Sequence, residues 1–206
     1  MRCLRAALTL ALSFAASSCS TTNDAGAVAL FDGKSLAGWT PYADPAAGSD
    51  PAKLCRVESG AIHCDGSVYG YLASNAEHSD YTLTVEWRWG DRAATGRNSG
   101  VFLHATGPDM LWPRSIEAQL LEGHAGELIP IGMTLSIDPQ ATQAIEKPSG
   151  EWNHMEITCR DDSVRVVVNG TVTRTASRAE VHRGRILLQS EGAEIWFRKV
   201  ELTPLK

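Results

Sequence analysis

Tyr81-Thr82-Leu83-Thr84-Val85-Glu86-Trp87-Arg88-Trp89 alternates apolar and polar residues without a break. A period of two sends Tyr81, Leu83, Val85, Trp87 and Trp89 to one face of an extended strand and Thr82, Thr84, Glu86 and Arg88 to the other, as in a strand with one face in a core. The pattern recurs downstream. Val101 and Leu103 alternate with Phe102 and His104, and Ile116, Ala118 and Leu120 alternate with Glu117 and Gln119. Val164 to Val168, Asn169-Gly170 and Thr171 to Arg174 give the strongest hairpin signal, because Asn-Gly accepts the positive φ angles of a type I′ turn. Arg185 to Gln189 and Glu194 to Leu202 supply two more strands. No long segment has helical period, and Gly, Pro, Asn and Asp punctuate the short runs, so the reading is an all-β sandwich in a single domain. Glu122 to Gly150 is the long irregular stretch, and long loops on rigid sheets tend to carry function.

Composition agrees with one globular domain. The 206 residues are 43% hydrophobic and 21% charged, which argues against disorder, collagen-like sequence and an extended coiled coil. Nineteen Lys and Arg against 24 Asp and Glu give a net charge of -5, which removes nucleic acid as a default partner.

The amino terminus has the layout of a secretory signal: Arg2 and Arg5, an apolar run from Ala6 to Ala16, then small residues before Cys19. The run is shorter than the ~20 residues a membrane-spanning helix needs. Ala16-Ser17-Ser18-Cys19 resembles the lipobox of bacterial lipoproteins, with Ala16 in place of the usual Leu. Residues 1–18 are therefore read as a signal peptide, 19–27 as a polar tether lipidated at Cys19, and 28–206 as the sandwich domain. The expected location is the periplasm-facing or outer membrane of a bacterium, through the lipid anchor; Ser20 is compatible with the outer membrane.

Export implies an oxidising compartment, so the other cysteines are candidate disulfide partners rather than metal ligands. Cys55 to Cys64 reads as a hairpin turning at Ser59-Gly60, with Glu58 facing Ala61, Val57 facing Ile62, Arg56 facing His63 and Cys55 facing Cys64. That places the cysteines at a closely spaced, non-hydrogen-bonded pair and predicts a cross-strand disulfide. Cys159 shares its register with Met155 and Ile157 and is expected to be a buried, inert thiol. No zinc-type spacing accompanies these residues.

If the strands 81–89, 99–105 and 115–121 are consecutive antiparallel neighbours, Glu86, Arg88, His104, Glu117 and Gln119 share one outer face. Such a face is also what any solvated sheet needs. Glu117 stands out, because it lies beside Gln119 on a strand that enters the loop Leu121-Glu122-Gly123-His124-Ala125-Gly126, where acid, amide and imidazole can meet around a pocket. Trp112, beside Pro113, is the tryptophan placed to stack on a sugar ring; Trp39, Trp87, Trp89, Trp152 and Trp196 fall in strands or structural motifs.

Five segments then carry a resemblance: Leu30-Phe31-Asp32-Gly33-Lys34-Ser35-Leu36-Ala37-Gly38-Trp39, Asn98-Ser99-Gly100-Val101-Phe102-Leu103, Glu117-Ala118-Gln119, Gly150-Glu151-Trp152-Asn153, and Leu188-Gln189-Ser190-Glu191-Gly192-Ala193-Glu194-Ile195-Trp196-Phe197-Arg198. Together they are similar to the 3-keto-disaccharide hydrolase family, across nearly the whole chain after the signal. The resemblance implies a concanavalin A-like jelly-roll sandwich and an enzyme acting on 3-keto-glycosides, by elimination across C1 and C2 or by hydration of the product. Glu191 stands where many relatives carry histidine, and Cys55 where many carry tryptophan.

The implied chemistry fits the residues. A C3 ketone acidifies the C2 proton, so cleavage needs a base, a group for the enolate oxygen and an acid for the departing oxygen. Glu117 and His104 are the expected catalytic residues, with Arg88, Asn98, Gln119, His124, Trp112, Gln189 and Glu191 binding substrate. No cofactor is required, since a separate oxidoreductase installs the ketone, although a divalent metal at Glu117 and His104 is an open option. Two rivals stand beside this. Glu117-Ala118-Gln119-Leu120-Leu121-Glu122 is similar to the two-carboxylate strand of jelly-roll glucanases, but Gln119 replaces the middle acid and alternation separates Glu117 from Glu122. A lectin-like module would bind sugars on the same face without chemistry.

Overall fold

The computed structural model describes residues 26–206, except 92–95, 141, 144 and 145. The signal peptide and Cys19 lie outside the described residues. Among the described residues no helix is long and apolar enough to cross a membrane. The strands are β1 (Val28–Ala29), β2 (Trp39–Ala43), β3 (Arg56–Glu58), β4 (Ala61–Cys64), β5 (Gly70–His78), β6 (Tyr81–Trp89), β7 (Gly100–Thr106), β8 (Arg114–Gln119), β9 (Leu128–Ile131), β10 (Ser136–Ile137), β11 (Asn153–Arg160), β12 (Ser163–Val168), β13 (Thr171–Ser177), β14 (Gly184–Ser190) and β15 (Ile195–Pro204). Two short 3-10 turns, at Pro45–Ala47 and Pro51–Lys53, complete the elements.

The strands form two sheets. One runs β10-β13-β12-β11-β6-β15-β4-β3, with β1 alongside β15; the other runs β2-β5-β14-β7-β8-β9. Their facing sides make the core predicted from alternation: Leu83, Val85 and Trp87 from β6, Val101 and Leu103 from β7, Ile116 and Ala118 from β8, and Ile157 and Phe197 are all fully buried there. The hairpin of β12 and β13 turns through Asn169 at φ 48° and Gly170 at φ 82°, as the Asn-Gly pair requires. Residues 122–150 are less irregular than their composition suggests, since β9 extends the six-stranded sheet beside β8 and β10 extends the other beside β13.

The hairpin of β3 and β4 has the expected register, with Arg56 opposite His63, Val57 opposite Ile62 and Glu58 opposite Ala61. Cys55 and Cys64 are disulfide-bonded with Cα atoms 4.2 Å apart, the spacing of a non-hydrogen-bonded pair. Cys159 is buried and free, and burial pushes its thiol up to about 12.

The grouping of Glu86 and Arg88 with Glu117 does not survive. Strand β6 pairs with β11 and β15, whereas β7 and β8 pair with each other in the second sheet. The chain crosses between sheets after Trp89. Glu86 and Arg88 therefore lie on the opposite outer face, a full sandwich thickness of ~10 Å or more from Glu117. There Arg88 sits between the Trp152 and Trp196 rings at 5.2 and 4.8 Å, and Glu86 accepts from Arg198 Nε at 2.7 Å. Arg88 is thus a structural cation between two aromatic rings, not a substrate ligand at Glu117.

Candidate functional site

The second sheet presents its outer face to a cleft of about 230 Å³ lined by Asn98, Trp112, Glu117, Gln119, Ile131, Gln189 and Glu191. Strand geometry places these residues. Phe102 pairs with Glu117 and Gly100 with Gln119 across β7 and β8, so Glu117 and Gln119 point outward while Ile116 and Ala118 point into the core. Gly100 lies directly beneath Glu117: a Cβ at this position would collide with the Glu117 carboxylate. The glycine gives the acid room to lie down over β7.

Asn98 is bridged to Glu191 and Gly192, which brings the segment before β7 against the end of β14. Glu191 Oε2 accepts from Asn98 Nδ2 at 2.7 Å and from Gln189 Nε2 at 2.9 Å. Gln119 turns its oxygen away, accepting from the Leu120 and Leu121 N–H groups at 2.8 Å each. Its amide N–H₂ is therefore the end left for the cleft.

Trp112 forms the wall. Its ring packs edge-on against Phe102 at 6.0 Å, and the loop that carries it is tied down by Asp109, which accepts from Tyr71 Oη at 3.2 Å and Arg185 Nη2 at 2.5 Å. Beneath the loop, Phe102, Leu187, Tyr71 and Ala73 form a small second apolar cluster. The clasp was not legible in the sequence, because Asp109, Tyr71 and Arg185 come from three separate segments.

Electrostatics single out Glu117. It is 6% exposed, and burial followed by the charge of Glu191 pushes its carboxyl up to about 7. Burial also raises Glu191, while its two amide donors, which bond best to an ionised oxygen, work against that rise. Glu117 is thus poised to gain and lose a proton near neutrality, the property wanted of a proton carrier.

His104 is not its partner. The residue adopts φ 54° at a register break in β7, which ends the alternation and leaves Ala105, not His104, with Phe102 in the outer cluster. The imidazole instead meets Tyr81 edge-on at 5.5 Å, and burial lowers it to about 4. A metal at Glu117 and His104 therefore has no cluster to bind it; among the described residues no group of three or more His, Cys, Asp or Glu could hold a metal ion.

One further expectation is revised, and one rival arrangement is absent as the alternation implied. His124 is exposed and pairs with Glu127 at 3.2 Å, lining a different recess with Gln143 and Arg174, outside the Glu117 cleft. Glu122 is exposed on the loop beyond β8 and pairs with Arg97, so the two-carboxylate arrangement of a glucanase does not form from Glu117 and Glu122. The carboxylate that does reach Glu117 is Glu191, just past the end of β14 and 74 residues further along the chain.

Among solved structures, one from Parabacteroides distasonis, provisionally assigned as a glycosyl hydrolase, aligns at a TM-score of 0.68 and 20% identity over 88% of this chain and 94% of its own. The carbohydrate-binding module CBM66 of Bacillus subtilis aligns at 0.57 and 13%, over 79% and 93%. The β-glucanase of Bacillus licheniformis aligns at 0.59 and 12%, over 90% and 100%. At these identities the likeness shows the jelly-roll sandwich fold alone. No curated protein matches the sequence. The family model of the 3-keto-alpha-glucoside-1,2-lyase-like domain matches residues 26–203, the cleft and both sheets included, and the chain belongs to that family.

Proposed function

We propose that the cleft cleaves 3-keto-glycosides by elimination, with Glu117 as the proton carrier. The ionised carboxylate takes the C2 proton, and the C–H electron pair passes into an enolate delocalised over C2 and the C3 ketone oxygen. That pair then closes a C1–C2 double bond and expels the glycosidic oxygen, which receives the proton held by Glu117. The products are an unsaturated 3-keto sugar and the free aglycone, with no net oxidation or reduction. The Gln119 N–H₂ donates to the enolate oxygen, Trp112 stacks on the sugar, and Asn98 and Gln189 receive sugar hydroxyls. A separate oxidoreductase supplies the ketone, and export with lipidation at Cys19 holds the domain at a bacterial membrane.

The observation that carries this reading is a buried carboxyl near neutrality within a polar cleft of a chain in this family. Incubation with a 3-keto-glucoside, following the conjugated enone by absorbance, tests it. Turnover by the wild type and a loss of ~10²–10⁴ in Glu117→Gln are expected. Near wild-type turnover by Glu117→Gln would remove Glu117 from the reaction. Binding of the unoxidised glucoside, without turnover of the ketone, would favour the lectin-like reading instead.

A further inference from the structure

Glu191 faces two side-chain amides at once, and this fixes which way each amide points. Asn98 Nδ2 and Gln189 Nε2 both donate to the same oxygen, Glu191 Oε2, at 2.7 and 2.9 Å. An amide that turns its N–H₂ toward a carboxylate must turn its carbonyl oxygen elsewhere. Asn98 Oδ1 and Gln189 Oε1 are buried and have no hydrogen-bond partner among the described residues, and the same holds for Glu117 Oε1. Gln189 is 2% exposed and Glu117 6%, so neither atom is a solvated surface group. All three residues line one cleft. A buried acceptor without a donor has lost its hydration without a replacement, and a ligand that supplies the donor recovers that loss.

Three orphaned acceptors and a second carboxylate thus belong to residues that line one cleft, in which Gln119 alone has its amide N–H₂ left to donate. Such a lining receives hydroxyl or ammonium hydrogens and repels a carboxylate or phosphate, which brings acceptors and negative charge where donors are wanted. The asymmetry originates at position 191. Without an anion there, either amide is free to rotate and offer its N–H₂ to the ligand.

We propose that Glu191 is a specificity-setting residue, which turns Asn98 and Gln189 into acceptors so that the cleft takes neutral, hydroxyl-rich sugars and rejects acidic ones such as uronides and sugar phosphates. The inference rests on the cleft being the substrate site, as in the proposed function. Glu191 acts through the two amides and through its charge, as a positioning residue rather than a catalytic one.

Competition between methyl 3-keto-β-glucoside and its C6-carboxylate counterpart at pH 8 tests this, because the ratio of kcat/KM values cancels general losses of activity or stability. The wild type is expected to prefer the neutral sugar at least tenfold, and Glu191→Gln to bring the two within about threefold. Equal use of both sugars by the wild type, or an unchanged preference in Glu191→Gln, overturns the proposal and leaves the keto-glycoside reading standing. Turnover of neither by the wild type overturns the keto-glycoside reading instead. Calorimetric binding of the same two compounds to wild type and Glu191→Gln then decides the specificity proposal by the same ratios, and binding of neither compound refutes it.

Discussion

Glu117 owes its properties to its neighbours more than to its own type. On a solvated strand it would titrate like any glutamate; buried in the cleft and beside Glu191 it is pushed up to about 7. If the ionised form takes the C2 proton, kcat/KM should rise with pH through about 7. Glu191→Gln removes a like charge, lowers the Glu117 pKa and should move that limb toward acid pH, whereas an unmoved limb in a rate profile would uncouple the two acids. Gly100 is the complementary test. A methyl group at this position meets the Glu117 carboxylate and not the core, so Gly100→Ala should cut turnover at least tenfold while changing the chemical denaturation midpoint little. A large loss of stability with turnover retained would place the side chain elsewhere.

Strand β6, whose two faces meet different environments, was readable from its alternation, and the start of β5, with both faces apolar, was not. Strand β6 alternates because one face lies in the core and the other bears Arg88 and Glu86 toward the surface. Strand β5 gives no such signal from Gly70 to Ser74: Leu72 enters the core while Tyr71 and Ala73 are covered by the Asp109 loop, so both faces are apolar. A period of two assigns a residue to a face but not a strand to its neighbours, so it could not tell which sheet β6 joins, and the polar face shared with β7 and β8 does not form. His104 was misplaced by a single left-handed residue, for which a histidine in a strand pattern gives no warning. The β3–β4 hairpin was legible to the residue, because a two-residue turn fixes the register on both sides. Its disulfide closes a loop with a sequence separation of 9, for which chain entropy gives about 2–3 kcal/mol. The Cys55→Ala/Cys64→Ala double variant should lose that amount in urea unfolding, and retain turnover, since the hairpin belongs to the opposite sheet from Glu117.

At the scale of the whole molecule, two buried titratable groups sit in separate parts of the sandwich and pull stability in opposite directions with pH. The Glu117 pKa is raised by folding, from 4.5 to about 7, so the native state holds more protons than the unfolded chain over that window and stability falls as pH rises through it. The His104 pKa is lowered by folding, from 6.5 to about 4. Here the unfolded chain holds more protons, so the stabilisation is complete above 6.5 and is lost as pH falls toward 4. Each slope approaches ~1.4 kcal/mol per pH unit at its steepest, and between about 4.5 and 6.5 the two largely cancel. The wild type should therefore show a shallower dependence on pH there than either single variant. In Glu117→Gln the histidine slope is exposed, and stability should rise by ~1–3 kcal/mol from pH 4.5 to 6.5. In His104→Phe the glutamate slope is exposed, and stability should fall over the same range once the constant cost of the substitution is removed. Urea unfolding at half-unit pH steps measures all three curves, and parallel curves for the three proteins would show that these groups do not titrate in the fold as their burial requires.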